Sequence, residues 1–112
     1  MSPQERRARQ LHGSLELLIL KALALQTLHG VGLFNRIRLI TDDAVSVSYG
    51  SLFPALHRLE ERGWLAADWR ASEHKRRAKY YRLTRRGRAQ LDREQRAWQR
   101  IVDAVSAALR ST

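Results

Sequence analysis

Apolar positions along the chain change period twice, and the changes divide it into helices, a hairpin and a last helix. From Ser14, the stretch SLELLILKALALQ is apolar around nearly its whole circumference except at Glu16 and Lys21, which predicts a central helix capped by Ser14. Thr27-Leu28-His29-Gly30 breaks it, with His29 read as a turn residue. A second helix is expected from about Val31 to Ile40, turning Leu33, Phe34, Ile37 and Ile40 inward and Asn35, Arg36 and Arg38 outward. Thr41-Asp42-Asp43 ends it. The stretch Ser46 to Gly63 carries a third helix with Leu52, Leu56 and Leu59 on one face, and Ser51, His57, Arg58 and Glu61 off it. Ser48 or Ser51 is placed to cap its start and Gly63 its end. Pro54 lacks an N–H and crowds the carbonyl four residues back, so this helix must begin close before it or bend there.

After Gly63 the pattern alternates. Trp64 to Trp69 and Ala78 to Leu83 read as two strands joined by residues 70–77, with Leu65 and Ala67 on one face of the first and Tyr81 and Leu83 on one face of the second. Thr84 then caps a last helix running to about Leu109, with Gly87 lowering helix propensity near its start. Leu91, Trp98 and Val105 are spaced by seven and flanked by Ile101, Val102 and Leu109. Such a stripe requires a covering surface, either a second copy of the chain or the first helix of the same chain; a homodimer seam is the expectation adopted. The resulting fold class is mainly α with a small β-hairpin: a winged helix-turn-helix at 14–84, a basic N-terminal arm at 1–13 and a C-terminal dimerisation helix at 85–112.

Charge sharpens this picture. The 112 residues carry a formal charge of +10, a field suited to polyanions or anionic membranes. It is concentrated: residues 70–88 hold nine Lys/Arg and a single acid, Glu73. On a hairpin, with no large basic amphipathic helix beside it, that density favours double-stranded DNA over a membrane surface. Leu15 to Leu25 is too short to span a bilayer and the basic start is unlike a secretory signal, so a cytoplasmic protein is expected. The absence of cysteine removes disulfides and thiolate chemistry. His12, His29, His57 and His74 lack metalloprotease spacing, and neither a phosphate loop nor a nucleophile motif is present, so no enzyme, metal or cofactor is expected.

Candidate DNA contacts follow from position. Lys75, Arg76, Arg77 and Lys79 are placed to meet phosphates, while Ser48, Tyr49, Ser51, His57 and Arg58 are the candidates for reading bases. Two of these have structural alternatives: Arg58 can pair with Glu61, and Tyr49 can pack on the second helix. Arg85, Arg86 and Arg88 read as a solvated face, and Arg6, Arg7 and Arg9 as a solvated arm that is also placed to meet phosphate. Trp98 is either plain packing in the seam or one wall of a slot for a planar effector.

Several stretches together resemble one family of bacterial regulators: Leu15 to Leu20, Leu28-His29-Gly30, Gly50 to Glu60, Gly63-Trp64 and Arg76 to Thr84. Over about residues 13–88 the chain is similar to PadR transcriptional regulators, and its single C-terminal helix fits their short-tailed subgroup. The resemblance implies a winged-helix homodimer that represses transcription and is relieved by a small, aromatic effector. A DNA-binding protein without effector control, architectural or constitutively bound, is the alternative. Two departures stand out: Phe53 replaces the usual Tyr, removing a hydroxyl from the DNA side, and the wing tip is Ser72-Glu73-His74-Lys75.

Overall fold

A computed structural model describes residues 3–45 and 47–112, with side chains from residue 14 onward, so Ser46 and the side chains of Arg6, Arg7, Arg9 and His12 lie outside the described residues. In chain order the elements are α1 (Pro3–Leu25), β1 (Leu28–His29), α2 (Gly30–Ile40), α3 (Tyr49–Glu61), β2 (Leu65–Ala71), β3 (Arg77–Leu83) and α4 (Arg85–Arg110). Ser14 is therefore interior to α1 and caps nothing, so no helix start marks the expected boundary at residue 14.

The core forms where the three apolar faces meet. Leu15, Ile19 and Leu20 of α1, Leu33 and Ile37 of α2, and Leu52, Leu56 and Leu59 of α3 are fully buried. Each such side chain contributes about 1.5–3 kcal/mol relative to exposure, so these three helices are held mainly by apolar burial. Leu65, Tyr81 and Leu91 extend the same cluster under the sheet and the start of α4.

The sheet has three strands in the order β1-β3-β2, all neighbours antiparallel. Leu28-His29, expected only to break the chain, pairs with Tyr81 and Tyr80 and anchors the wing to the start of α2. A two-residue strand has too short a pattern to announce itself; it exists because β3 presents a free edge. The hairpin is also longer than expected, with Leu65 opposite Leu83 and Ala71 opposite Arg77, closed by a turn in which Lys75 adopts φ 61°.

Local signals explain the element ends. The His29 Nδ1 accepts the Gly32 N–H at 2.9 Å and caps α2. Asp42 and Asp43 both adopt left-handed φ, at 54° and 59°, and reverse the chain after α2. At the end of α3 the Trp64 N–H bonds Leu59 O and the Gly63 N–H bonds Glu60 O, with Gly63 at φ 77°, a Schellman cap that needs a glycine there. Pro54 is the sixth residue of α3, so its missing N–H forfeits only the bond to the Gly50 carbonyl, and the helix continues to Glu61.

Gly87 carries more than its propensity suggests. A Cβ there would run into the Trp64 carbonyl oxygen and lie 2.7 Å from Leu83 Cδ1. The absent side chain lets α4 seat directly on the corner between α3 and β2. Thr84 fastens that corner: its N–H donates to Trp64 O, and its hydroxyl lies 2.7 Å from Gly63 O and accepts the Gly87 N–H. Beyond Leu91 no residue of α4 is buried, and its 26 residues extend a molecule measuring 59 × 29 × 28 Å.

Candidate nucleic-acid interface

Two exposed segments carry the candidate contact residues. On one side is the start of α3, where the Ser48 hydroxyl accepts the Ser51 N–H at 3.2 Å and also lies 3.2 Å from the Ser51 hydroxyl. The helix is thus capped by one serine, leaving the positive end of its dipole and small polar side chains at the surface. On the other side is the wing. A hollow of about 700 Å³ beside the wing is bordered by His29 and Val31, by Phe53 of α3, and by Trp69, Ser72 and His74.

Aromatic stacking fixes the start of α3 against α2. Tyr49 stacks on Phe34 with ring centroids 4.6 Å apart, and Phe53 follows at 5.9 Å from Tyr49. Tyr49 therefore packs on the second helix while remaining 43% exposed, so it keeps a surface for a ligand. Phe53 occupies space that a side chain at residue 30 would need, since a Cβ on Gly30 would come within 2.9 Å of its ring. The hydroxyl missing from Phe53 leaves an apolar edge at the hollow.

The wing carries its cations outward. Lys75, Arg76 and Arg77 are exposed, and among the described residues no carboxylate lies within ion-pair distance of them. Arg77 lies over the Trp69 ring at 5.9 Å and Arg70 over Tyr80 at 4.6 Å, so two guanidiniums are propped on aromatic faces without losing their charge. Unpaired cations on a projecting hairpin are suited to phosphate, whose neutralisation releases condensed counterions.

Three expected contact residues are engaged elsewhere. Lys79 Nζ bonds Glu60 Oε1 at 2.9 Å, tying the wing to α3. That hydrogen bond raises the Lys79 pKa above 10.5, and burial raises neighbouring Tyr81 above 10.0. Arg58 donates from Nε to Glu16 Oε1 at 3.1 Å, so its partner comes from α1 and is not the expected Glu61. Glu61 instead meets His57, which stays exposed. Ser48, Tyr49 and Ser51 stand at the start of α3 and Lys75, Arg76 and Arg77 on the wing without a carboxylate partner among the described residues, while Arg58 and Lys79 brace α3 from behind and from the wing; of all these candidates only Lys79 borders the hollow.

Two residues of this region escape a residue-by-residue sequence reading. Trp69 shares a strand face with Leu65 and Ala67, yet it is 59% exposed, with Arg77 over its ring. Glu16 had a usable signal: an acid on an otherwise apolar helix demands a buried partner, although sequence does not say which. The last helix also corrects one expectation. Leu91 belongs to the core of its own chain at 5% exposure, so the exposed stripe starts at Trp98 and continues through Ile101, Val102, Val105 and Leu109.

Among the described residues no helix is long and apolar enough to cross a membrane, and no group of three or more His, Cys, Asp or Glu is placed to hold a metal. Curated proteins yield no match to the chain. Solved structures do. A PadR-like transcriptional regulator from Bacillus cereus superposes with a TM-score of 0.79 at 26% identity, covering 93% of this chain and 99% of that one. A PadR family regulator from Eggerthella lenta gives 0.77 at 27% identity over 97% and 93% of the two chains. A structure described as a transcriptional regulator from Thermoplasma acidophilum gives 0.75 at 27% identity over 93% and 98%. The model of the transcriptional regulator PadR-like family matches residues 19–93, from the middle of α1 through the wing into α4. With the winged fold, the capped start of α3 and the unpaired wing cations in place, the chain belongs to the PadR-like family of transcriptional regulators, as a DNA-binding regulator and not an enzyme.

Proposed function

We propose that the protein acts in the cytoplasm as a homodimeric repressor that reads an inverted repeat and is released by a small aromatic effector. The observation that carries the dimer is α4: anchored at Gly87 and Leu91, it leaves Trp98, Ile101, Val102, Val105 and Leu109 exposed at helical spacing. A second α4 covers such a stripe with the same residues, as two-fold symmetry requires. Two copies then present two α3 N-termini and two wings, for half-sites about 34–36 Å apart. In this reading Ser48, Tyr49 and Ser51 face base edges while Lys75, Arg76 and Arg77 hold phosphates. The effector reading is supported by a cleft of about 230 Å³ between α1 and α4, bordered by Leu17, Ala97, Trp98 and Ile101.

Selection from a random-duplex library, sequenced after rounds at two salt concentrations, tests the DNA-reading part. A palindromic site is the expected result; tight binding with no enriched sequence indicates an architectural protein instead. Sedimentation equilibrium tests the dimer. Titrating small aromatic compounds against Trp98 fluorescence, with Trp98→Phe as the control, tests the effector.

A further inference from the structure

Glu16 stands between two places with different roles. Its side chain is 14% exposed, and both oxygens are engaged from α3 and its C-cap: Arg58 Nε at 3.1 Å and Arg62 Nη1 at 3.2 Å. Arg58 has little alternative, because its Nη2 is buried without a hydrogen-bond partner. On its other side Glu16 borders the Trp98 cleft, together with Glu94. Among the described residues that cleft has two carboxylates, an indole and no cationic side chain in its lining, in a chain of formal charge +10. Glu94 already accepts a hydrogen bond from Gln90 at 2.9 Å, which leaves Glu16 as the carboxylate whose pairing reaches the recognition helix.

We propose that Glu16 is a positioning residue for α3, and that positive charge in the Trp98 cleft loosens its grip on Arg58 and Arg62 and so weakens operator discrimination. A carboxylate shared with a second cation holds each guanidinium less firmly. A part-buried guanidinium left without its counter-charge is costly, so Arg58 swings outward or carries α3 with it. The second movement displaces the capped start of the helix together with the wing strand that Lys79 and Glu60 tie to it. Charge chemistry in the cleft and base reading at α3 thereby become one equilibrium. The proposal rests on α3 and the wing being the DNA surface; it does not require that any effector be found.

The test places the charge genetically. Ala97, half-buried on the cleft wall, is replaced by Lys or by Met, in the wild-type and Glu16→Gln backgrounds. Each dimer is titrated with the selected operator and with a scrambled duplex of the same length. In the wild-type background Ala97→Lys lowers the operator-to-scrambled affinity ratio about five-fold or more relative to Ala97→Met. With Glu16→Gln, discrimination is low already and the two substitutions become equivalent. Glu16→Asp, which keeps the charge, retains the Lys/Met difference. The ¹⁵Nε resonance of Arg58 reports the same event directly, moving toward its free value in Ala97→Lys and Glu16→Gln alike.

Equal ratios for Lys and Met in the wild-type background, or a difference that persists undiminished with Glu16→Gln, overturn the coupling while leaving DNA recognition intact. Failure to select any operator overturns base reading by α3 and the coupling with it. Benzyltrimethylammonium, titrated against Trp98 fluorescence with benzyl alcohol as the neutral control, addresses only whether a cationic aromatic ligand enters the cleft. Its failure to bind removes that ligand class and leaves the Ala97 comparison to decide.

Discussion

Gly87→Ala separates two accounts of the same glycine. If Gly87 is only a weak helix former near the start of α4, alanine stabilises the protein by about 1 kcal/mol through propensity. The geometry demands the opposite. The new methyl collides with the Trp64 carbonyl oxygen and comes within 2.7 Å of Leu83 Cδ1 and 2.9 Å of the Trp64 carbonyl carbon. Backbone cannot swing aside as a flexible side chain does, so α4 must lift from the corner. Lifting it stretches the Thr84 N–H bond to Trp64 O at 3.1 Å and the Gly87 N–H bond to Thr84 Oγ1 at 3.0 Å. Overpacking costs about 1–3 kcal/mol and the weakened cap about another 1 kcal/mol. Set against the propensity gain of about 1 kcal/mol, the net loss is about 1–3 kcal/mol. Guanidinium unfolding followed by far-UV circular dichroism, at one fixed subunit concentration, measures it as a lower midpoint with an unchanged slope. Ala89→Gly, on an exposed turn of α4, supplies the control, since propensity alone makes it lose about 1 kcal/mol. A Gly87→Ala protein as stable as the parent, or more stable, refutes the seating of α4 on this corner.

The other predictions concern charge and assembly. Replacing Lys75, Arg76 and Arg77 by Ala makes the plot of log affinity against log salt shallower by about 0.9 per lost phosphate contact in each subunit, whereas Lys79→Met leaves it nearly unchanged because that ammonium is tied to Glu60. Stability declines at alkaline pH with a definite sign. Lys79 is raised above 10.5 by its Glu60 hydrogen bond and Tyr81 above 10.0 by burial, so both hold protons in the fold where the unfolded chain has begun to release them. Their contributions are fully present below about pH 10 and are lost as pH rises through the elevated values; Lys79→Met flattens that limb of a denaturation-versus-pH profile. Val105→Arg, placing a charge in the exposed stripe of α4, raises the dimer dissociation constant roughly ten-fold or more in sedimentation equilibrium without lowering helix content. An unchanged constant excludes this face as the seam.

The order of the helices and the hairpin, a serine cap at the start of α3, the caps at Gly63 and Thr84, and the basic wing could all be read from the sequence. All of these depend on residues near one another in the chain, where periodicity, hydrogen-bonding side chains and φ preferences act. The start of α3 and the cations at 75–77 were legible for the same reason, because a cap and a charged turn need no distant partner to be recognised. Tertiary structure decided the rest. It paired Arg58 with Glu16 across 42 positions and Lys79 with Glu60, giving two expected DNA contacts partners within the fold. It drew Leu91 into the chain's own core, left Trp69 outside it and made a strand of Leu28-His29. Each outcome turns on which surfaces meet, and a local pattern specifies that a charge or an apolar face needs a partner without specifying the element that supplies it.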